Sequence, residues 1–393
     1  AHDIAGADEI LDYLVLGEGE YTFPALLDYI EGKGPRPELG IGYWQDGKRI
    51  VQPKPPFIQD LDSLPLPAYH LADFDRYTTT LQRISVDSPR ALPYARMITS
   101  RGCPVGCTFC EVESISGGPF RTRSVEHVMS ELRYMKQRYG IKAVVWDDDN
   151  LFLKRSRTKA LFRAMIDEKL DLKWNGLAVP VFTMTDEIIE IFAESGCQYL
   201  DFAIESGVDR ILKDIVHKPV NLETVAPLVA KAQSLGIDVN CHFIIGFPGE
   251  TWDEIRQTIS YAESLQADYT KFFIYQPLPH TPLGDKLLAD GMIKGSVNVQ
   301  SDLNWSESVV VSDDWSTERL RYLRAFEWDR INFNSQEKKE RIAKMMSISM
   351  EQLEQLRNDT LDSVAPVSYP AIQKEVPEPM HARPESMANI TYG

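Results

Sequence analysis

The sequence has few cysteines, no long apolar run and no excess of basic residues. Five cysteines among 393 residues is a small and odd number, which argues against a disulfide framework. No stretch approaches about 20 uncharged apolar residues, so no membrane span is predicted. Residues 1–20 contain no basic stretch followed by an apolar one, so no signal peptide is predicted and a cytoplasmic location is expected.

Basic residues are outnumbered by acidic ones, and this imbalance disfavours one class of partner. The net charge is −16, and the average field of such a protein repels nucleic acid. What is present is ordinary for a globular protein of two or three domains, with 43% hydrophobic and 25% charged residues.

From residue 95 to about residue 293, short β-rich runs alternate with helical stretches. Six βα units follow one another at a period of roughly 30 residues, which is typical of a parallel α/β barrel. Six units are fewer than the eight of a closed barrel, so we expect an open, partial (β/α)6 TIM-like barrel. The predicted strands lie at 95–103, 142–150, 173–179, 199–207, 238–250 and 268–279.

The segments on either side of the predicted barrel have different patterns. Residues 11–32 indicate a strand, a turn and a helix, and 42–52 a hairpin that turns at Asp46 and Gly47. Residues 54–77 lack a period and indicate a linker on the surface. After residue 294 we expect two helices, 316–333 and 336–359, that close the barrel mouth or shape the substrate pocket.

Three of the five cysteines lie in "RGCPVGCTFC" (101–110), at positions 103, 107 and 110. A disulfide framework is disfavoured as above, and a structural zinc site lacks a second cysteine pair for its fourth ligand. Neighbouring Gly and Pro residues mark an exposed loop, which argues against thiols that merely fill the core. Three thiolates with one open position favour a 4Fe–4S cluster with ligands Cys103, Cys107 and Cys110.

Other polar segments are also predicted at the carboxyl ends of strands, where α/β barrels carry their chemistry. The acidic run 147–150 can bind a divalent cation, but a solvated strand end is the preferred interpretation. Arg101, Arg121 and Arg123 are candidates to hold a carboxylate. A core or surface role is the default for His217, His242 and His280, and Cys197 and Cys241 are expected to be buried thiols.

The ordered motifs strongly resemble the radical SAM superfamily over about residues 96–293, and in particular its subgroup associated with a cobalamin-binding domain. The resemblance rests on the cysteine loop with Phe109 before its third cysteine, "VVWDDDNLF" (144–152), "IESG" (204–207), "HFIIGFPGET" (242–251) and "PLPHTPLG" (277–284). Directly before "IESG" this chain has Ala203, where the family's "GIESG" has Gly.

The resemblance implies an enzyme that reductively cleaves S-adenosylmethionine (SAM) to a 5′-deoxyadenosyl radical at a 4Fe–4S cluster. It also implies cofactor-binding roles for these residues: Phe109, Ala203, Glu205, Ser206, Gly246 and Pro248. For Glu205, simple pairing with a nearby base is the alternative. No catalytic residue is identified.

The favoured reaction is cobalamin-dependent methylation of a small or medium metabolite. The alternatives are a cobalamin-independent radical SAM dehydrogenase, cyclase or methylthiotransferase, or a non-catalytic iron–sulfur protein. The expected partners are a small-molecule substrate and an electron donor such as flavodoxin or ferredoxin.

The resemblance also divides the chain into five parts. Residues 1–57 resemble the closing remnant of a cobalamin-binding Rossmann domain, 58–94 are a linker, and 95–293 are the radical SAM partial barrel. Residues 294–364 form a helical C-terminal domain and 365–393 a flexible tail. No D-x-H-x-x-G segment lies upstream, so the chain is expected either to be part of a longer protein or to have lost cobalamin.

Overall fold

The computed structural model of the protein describes residues 11–79, 85–293 and 307–364. The predicted tail 365–393 lies outside the described residues. The first described unit contains β1 (Tyr13–Val15), α1 (Gly19–Ile30), β2 (Ile41–Gln45) and β3 (Lys48–Val51), with the strands in an antiparallel sheet of order β1-β2-β3. Asp46 and Gly47 both have positive φ, 50° and 70°, so the predicted hairpin turn is confirmed.

The following segment is mostly irregular, as predicted. Two short 3₁₀ turns, Leu61–Ser63 and Tyr69–Leu71, precede the short helix α2 (Phe74–Thr79). Further along, the chain passes beneath the barrel sheet, where Val86 is fully buried and Asn175 Nδ2 donates to the carbonyl oxygen of Asp87 at 3.0 Å.

The barrel begins with β4 (Tyr94–Met97), and the cysteine loop follows it. Two short strands, β5 (Ser100–Arg101) and β6 (Arg121–Thr122), pair antiparallel at the base of that loop, and α3 (Val112–Ser116) lies within it. The chain then enters α4 (Val125–Tyr139). Ser124 caps α4 by accepting from the His127 N–H, and Gly140 ends it in the left-handed conformation.

Six parallel strands form the central sheet in chain order, as predicted. After β4 they are β7 (Ala143–Trp146), β8 (Lys173–Val179), β9 (Cys197–Glu205), β10 (Asp238–Ile245) and β11 (Tyr269–Ile274). The connecting helices are α5 (Arg155–Asp167), α6 (Asp186–Glu194), α7 (Val225–Ser234) and α8 (Trp252–Ser264), and α9 (Pro282–Ala289) follows β11. The parallel αβ architecture of the predicted partial barrel is therefore confirmed.

The two faces of this sheet differ in character. Leu200, Phe202 and Ile204 of β9 pack in the main apolar core with side chains of the connecting helices. The alternate residues of β9 point to the opposite face, which we call the inner face. The aromatic side chains on the helix side pack against one another in the core. Trp174, for example, stacks on Phe162 with ring centroids 4.4 Å apart.

The sheet is open, and α10 (Thr317–Asn332) covers one of its edges. Within the described residues, β4 and β11 are the two edge strands and do not pair with each other. Asn332 Oδ1 accepts from the Thr270 N–H at 2.7 Å and Asn332 Nδ2 donates to the Thr270 carbonyl at 2.8 Å. The Asn332 amide thus bonds to β11 as a neighbouring strand would.

The C-terminal helices differ from the prediction in two respects. The segment predicted as one helix over 336–359 is two, α11 (Gln336–Met346) and α12 (Met350–Asp362), because Ser347 adopts a left-handed φ of 58° and Ser349 starts a new helix with a capping box. Arg341 of α11 bonds to Asp238, the first residue of β10, at 2.9 Å. These two helices therefore lie at the amino ends of the strands and do not close the mouth. The part of the C-terminal segment that does reach the mouth is Trp315, whose Nε1 donates to the Glu250 carbonyl at 2.9 Å, with Leu320 at the start of α10.

A search of the described helices for one long and apolar enough to cross a bilayer finds none.

Candidate functional site

The cysteine loop is fastened to the barrel by one threonine that sequence analysis missed. The Thr108 N–H donates to the Val216 carbonyl at 3.1 Å, and its hydroxyl donates to the Ile215 carbonyl at 2.5 Å. The Thr108 carbonyl accepts from the Leu283 N–H at 2.9 Å. These bonds join the loop to the π-helical turn Ile211–Val216 and to the start of α9. A threonine between two cysteines gives no sequence signal for such long-range contacts.

The entry to the loop depends on a glycine. Gly102 has a φ of 83°, and a Cβ atom there would lie 2.3 Å from the carbonyl oxygen of Pro119. Its N–H donates to Asp149 Oδ2 at 2.8 Å, and the Cys103 N–H donates to the Gly117 carbonyl at 3.2 Å. Only glycine combines this conformation with this close approach.

The acidic run after β7 holds the cysteine loop, which corrects its interpretation as a solvated strand end. Asp148 Oδ1 accepts from the N–H of Thr99 at 3.0 Å and from the hydroxyl of Ser100 at 2.5 Å. Burial raises the pKa of Asp148 to about 6, although these hydrogen bonds oppose the shift. Asn150 Nδ2 lies 3.3 Å from Cys103 Sγ, so it donates to the first cysteine of the motif.

The three motif cysteines are free and half-buried, whereas Cys197 and Cys241 are buried as predicted. Burial raises the pKa of the Cys107 thiol to about 12. Burial raises the pKa of the Cys110 thiol too. Across the described ranges, no three His, Cys, Asp or Glu side chains converge on one point as ligands of a single metal ion. Cluster ligands need no such convergence, because each thiolate bonds a different iron.

Glu205 ends β9 beneath the cysteine loop in an unusual state. Its backbone has a φ of 74°, its side chain is buried, and its Oε1 lies 2.6 Å from Lys218 Nζ. Its Oε2 is buried without a hydrogen-bond partner, 3.7 Å from His242 Nε2. Burial alone raises the pKa of Glu205, but the Lys218 and His242 cations outweigh it and bring the pKa down to about 2.

Lys218 is the second residue that sequence analysis missed. It is buried and follows the turn to which Thr108 is bonded. Its charge lies close enough to the motif to lower the pKa of Cys107 and Cys110 against the larger effect of burial. A lone lysine in "VHKPV" resembles a surface residue, so only the fold reveals its position.

Ala203 and Ser206, on either side of Glu205, have different surroundings. Ala203 is buried and lies in register with His242 on β10. The Ser206 hydroxyl is fully buried, 3.1 Å from Thr258 Oγ1, and accepts from the Val208 N–H at 3.1 Å. In this structure that hydroxyl stabilises the turn, and the cofactor-binding role of Ser206 stays a prediction.

The "GFPGE" turn packs against the cysteine loop through aromatic rings. Phe109 and Phe247 make an edge contact with centroids 5.9 Å apart. Gly246 has a φ of 80°, and its N–H donates to the buried Glu250 Oε2 at 2.7 Å. Pro248 in this turn is half-buried. The fold thus brings Phe109 and the Gly246–Pro248 segment together, as the mouth of a barrel requires.

The three arginines proposed for carboxylate binding are all paired within the chain, and that role stays a prediction. Arg121 is buried and bonds to Glu18 at 2.7 Å. Arg101 bonds to Glu18 at 3.1 Å. Arg123 bonds to Glu131 at 2.5 Å. Arg101 and Arg121 fix the start of α1 against the cysteine loop.

This docking leaves a cavity of about 720 Å³ between the first unit and the barrel. Its walls combine charged residues with exposed apolar side chains, Phe23, Ile98 and Ile115. Asp149, Arg101 and Ser116, which flank the cysteine loop, also line it. Exposed apolar walls next to a candidate reaction centre are typical of a ligand cavity.

Comparison with known proteins decides the family. Residues 97–262 match the Radical SAM superfamily. The chain belongs to the radical SAM superfamily. It is 34% identical over 284 residues to an uncharacterized methyltransferase of Pyrococcus horikoshii, an alignment that covers 72% of this chain and 59% of the relative. It is 31% identical over 353 residues to the cytidylyl-2-hydroxyethylphosphonate methyltransferase of Streptomyces wedmorensis, covering 81% of this chain and 64% of that enzyme.

Solved structures agree in fold. The methyltransferase TsrM of Kitasatospora setae, with cobalamin and a 4Fe–4S cluster bound, matches with a TM-score of 0.58 and 18% identity over 72% of this chain and 55% of TsrM. The cobalamin-dependent radical SAM enzyme OxsB with aqua-cobalamin matches with a TM-score of 0.53 and 19% identity over 73% of this chain and 41% of OxsB. Measured against the two sequence relatives, this radical SAM chain spans only 59% of the length of the Pyrococcus protein and 64% of that of the Streptomyces enzyme.

Proposed function

We propose that the protein binds a 4Fe–4S cluster and SAM and uses them to methylate a small molecule with the help of cobalamin. Cys103, Cys107 and Cys110 would hold the cluster. When bound, this cluster supplies the electron that cleaves SAM reductively. The chain's own residues would position SAM, exclude water and hold the charges around it.

One observation carries this proposal. The three free cysteines lie on a loop that is fastened at the carboxyl ends of the strands, directly above a buried acid–base pair, Glu205 and Lys218. A structural metal site needs no such pair, and an electron carrier needs none either. SAM carries a carboxylate, an ammonium group and ribose hydroxyls, and these match a buried cation beside a buried carboxylate.

The residues present fit SAM in a second way. Glu205 Oε2 is a buried anionic oxygen without a hydrogen-bond partner, and such an atom costs about 1–3 kcal/mol unless a donor reaches it. An ammonium or ribose hydroxyl of SAM would supply that donor. The rings of Phe109 and Phe247 would exclude water from the same side of the loop.

The cavity between the first unit and the barrel supports the cobalamin part of the proposal. Its apolar walls border the cysteine loop, so a large, partly apolar cofactor bound there would adjoin the cluster. Two relatives are named as methyltransferases, and the two neighbours described above are cobalamin-dependent or cobalamin-bound. We further propose a cytoplasmic flavodoxin or ferredoxin as the electron donor.

The test is an anaerobic assay of protein with a reconstituted cluster, SAM, methylcobalamin and a low-potential reductant, with nucleoside products quantified by mass spectrometry. We expect 5′-deoxyadenosine, or S-adenosylhomocysteine, or both. Release of S-adenosylhomocysteine only when cobalamin is present would support methyl transfer. 5′-Deoxyadenosine alone, independent of cobalamin, would favour a dehydrogenase, cyclase or methylthiotransferase instead.

Cys107→Ala and Cys197→Ala form the matched pair of controls. Cys107 lies in the motif loop, and Cys197 is a buried thiol at the start of β9. Cys107→Ala should lose the cluster and all nucleoside products, whereas Cys197→Ala should keep both. Equal activity of the two variants would overturn the cluster assignment.

A further inference from the structure

The inner face of the sheet carries a row of charged side chains with alternating sign. From the amino ends of the strands upward it runs through Asp87, Lys271, Asp201, His242, Glu205 and Lys218. The row ends beneath the cysteine loop. Each member faces a neighbour of opposite charge when His242 is protonated, so the row is balanced within the low-dielectric interior.

His242 is the central member of this row, and its ring is held from both sides. Its Nδ1 lies 2.8 Å from Asp201 Oδ1, and its Nε2 lies 3.7 Å from Glu205 Oε2. Phe273 of β11 contacts the ring edge with centroids 6.0 Å apart. Asp201 is itself placed by hydrogen bonding to Asn240 and by Lys271 at 4.0 Å.

Two carboxylates on opposite sides of the ring keep it cationic. Burial alone lowers the pKa of His242, but Asp201 and Glu205 outweigh burial and raise it to about 9. The distance of 3.7 Å is too long for a hydrogen bond. The imidazolium therefore attracts the Glu205 carboxylate electrostatically without using the lone pairs of Oε2.

We propose that His242 is a positioning residue for SAM: anchored by Asp201, it holds the Glu205 carboxylate in place so that Oε2 accepts from a donor group of SAM. This rests on the proposed function, because it needs SAM at Glu205. The arrangement also explains how Glu205 keeps its left-handed backbone. Lys218 on one carboxylate oxygen and His242 below the other together fix the side chain.

The test is a double-mutant cycle on SAM affinity. Cluster-loaded, oxidised protein is titrated with SAM by anaerobic calorimetry in four forms: wild type, His242→Asn, Glu205→Gln and the double variant. Asn retains a donor toward Asp201 but loses the charge that faces Glu205. We expect His242→Asn to weaken SAM binding about tenfold, which is the size of coupling that an indirect contact provides. In the Glu205→Gln background the same change should have almost no further effect.

Two further variants separate positioning from general damage. His242→Gln can donate toward Glu205 and should recover part of the lost affinity; it also serves if His242→Asn does not fold. Thr270→Val replaces a buried hydroxyl without a hydrogen-bond partner on β11, and it should bind SAM as the wild type does.

The outcomes distinguish this inference from the proposed function. If wild-type protein with a full cluster does not bind SAM, both are overturned. If it binds SAM and His242→Asn binds equally well, or if the effects of His242→Asn and Glu205→Gln simply add, the positioning role alone is overturned.

Discussion

Glu205 shows how a single residue can hold a conformation that its type disfavours. A left-handed φ costs a non-glycine residue about 1–3 kcal/mol. At Glu205 this cost is offset because the buried carboxylate contacts Lys218 and faces His242. Strain of this kind persists where the surrounding structure determines the conformation, and such places cluster at functional sites.

Glu250 gives a prediction at the same scale. Burial raises its pKa from 4.5 to about 8, although the N–H groups of Phe247 and Gly246 oppose the shift. The folded protein therefore keeps this proton until about pH 8, whereas the unfolded chain releases it near pH 4.5. Relative to Glu250→Gln, wild-type stability should fall as the pH rises from 4.5 to 8 and then level off. Thermal unfolding of both proteins across this range measures the difference.

Glu254→Gln is the control for that experiment. Arg210 lowers the pKa of Glu254 to about 2, so its contribution to stability is lost only as the pH falls from 4.5 toward 2. Between pH 5 and 9 the stability of Glu254→Gln should therefore change with pH in parallel with that of the wild type. A constant difference between wild type and Glu250→Gln across pH 4.5–8 would contradict a buried, protonated Glu250.

Asn150 gives a second prediction, which concerns the cluster. Its side chain donates to Cys103 Sγ, and donors to ligand sulfur stabilise the reduced, more negative cluster. Asn150→Ala should therefore shift the midpoint potential to a more negative value, measured by redox titration with electron paramagnetic resonance. Asn358→Ala, an exposed position on α12, should leave the potential unchanged. A potential unchanged in Asn150→Ala would show that this bond does not persist in the loaded protein.

At the scale of elements, the cysteine loop depends on contacts from four parts of the chain. The acidic run after β7, the π-helical turn after β9, the start of α9 and the β5–β6 pair all hold it. The stretch 103–110, which carries the three cysteines, contains neither helix nor strand. It can place the thiols reproducibly only when the surrounding scaffold fixes its backbone.

Gly102 and Gly106 provide a matched test of that dependence. Both have positive φ, but a Cβ at Gly102 would overlap the Pro119 carbonyl, whereas nothing lies within 4 Å at Gly106. Gly106→Ala should cost about 1–2 kcal/mol and retain the cluster. Gly102→Ala should cost more and lose most of its iron. Iron and sulfide content, with urea unfolding, measure both effects; equal iron content would mean that the loop adapts freely.

At the scale of the whole molecule, the open sheet raises the question of what protects its edge. An exposed edge strand invites pairing with other chains. Here α10 lies along β11, and Asn332 and Arg324 bond to the backbone of that strand. The C-terminal helices therefore stabilise the barrel from its side and its amino end, and Leu320 at the start of α10 also lies against Gly246 at the mouth.

Asn332→Ala tests whether the β11 edge depends on its bonds to Asn332. It leaves the buried N–H and carbonyl of Thr270 without partners, which should lower the free energy of unfolding by about 1–3 kcal/mol. Light scattering on warming should rise at the same time, because the strand edge becomes available. Asn334→Ala, at an exposed position two residues further on, should behave as the wild type. If the free energy of unfolding of Asn332→Ala equals that of the wild type, apolar packing alone protects the strand edge.

Local patterns in the sequence were sufficient for the elements and for the family. The βα alternation, the Ser124 and Gly140 signals and the Asp46–Gly47 turn act within a few residues, so periodicity and turn chemistry predict them directly. The spacing of the three cysteines likewise indicates an iron–sulfur cluster, because thiolates are the ligands of such clusters. The break at Ser347 escaped prediction because two short helices and one long helix share the same apolar spacing.

Only the tertiary structure decided which polar groups meet. Thr108 of the cysteine loop bonds to Ile215, 107 residues further on, and Asn150 bonds to Cys103 across 47 residues. Lys218 is placed beneath the loop by its contact with Glu205. No local pattern encodes these contacts. The arginines near the motif seemed available for a ligand, yet the fold gives them Glu18 and Glu131. Sequence determines the kinds of donor and the strand ends at which they lie. Packing determines their partners, because the free energy of a buried charge depends on every group around it.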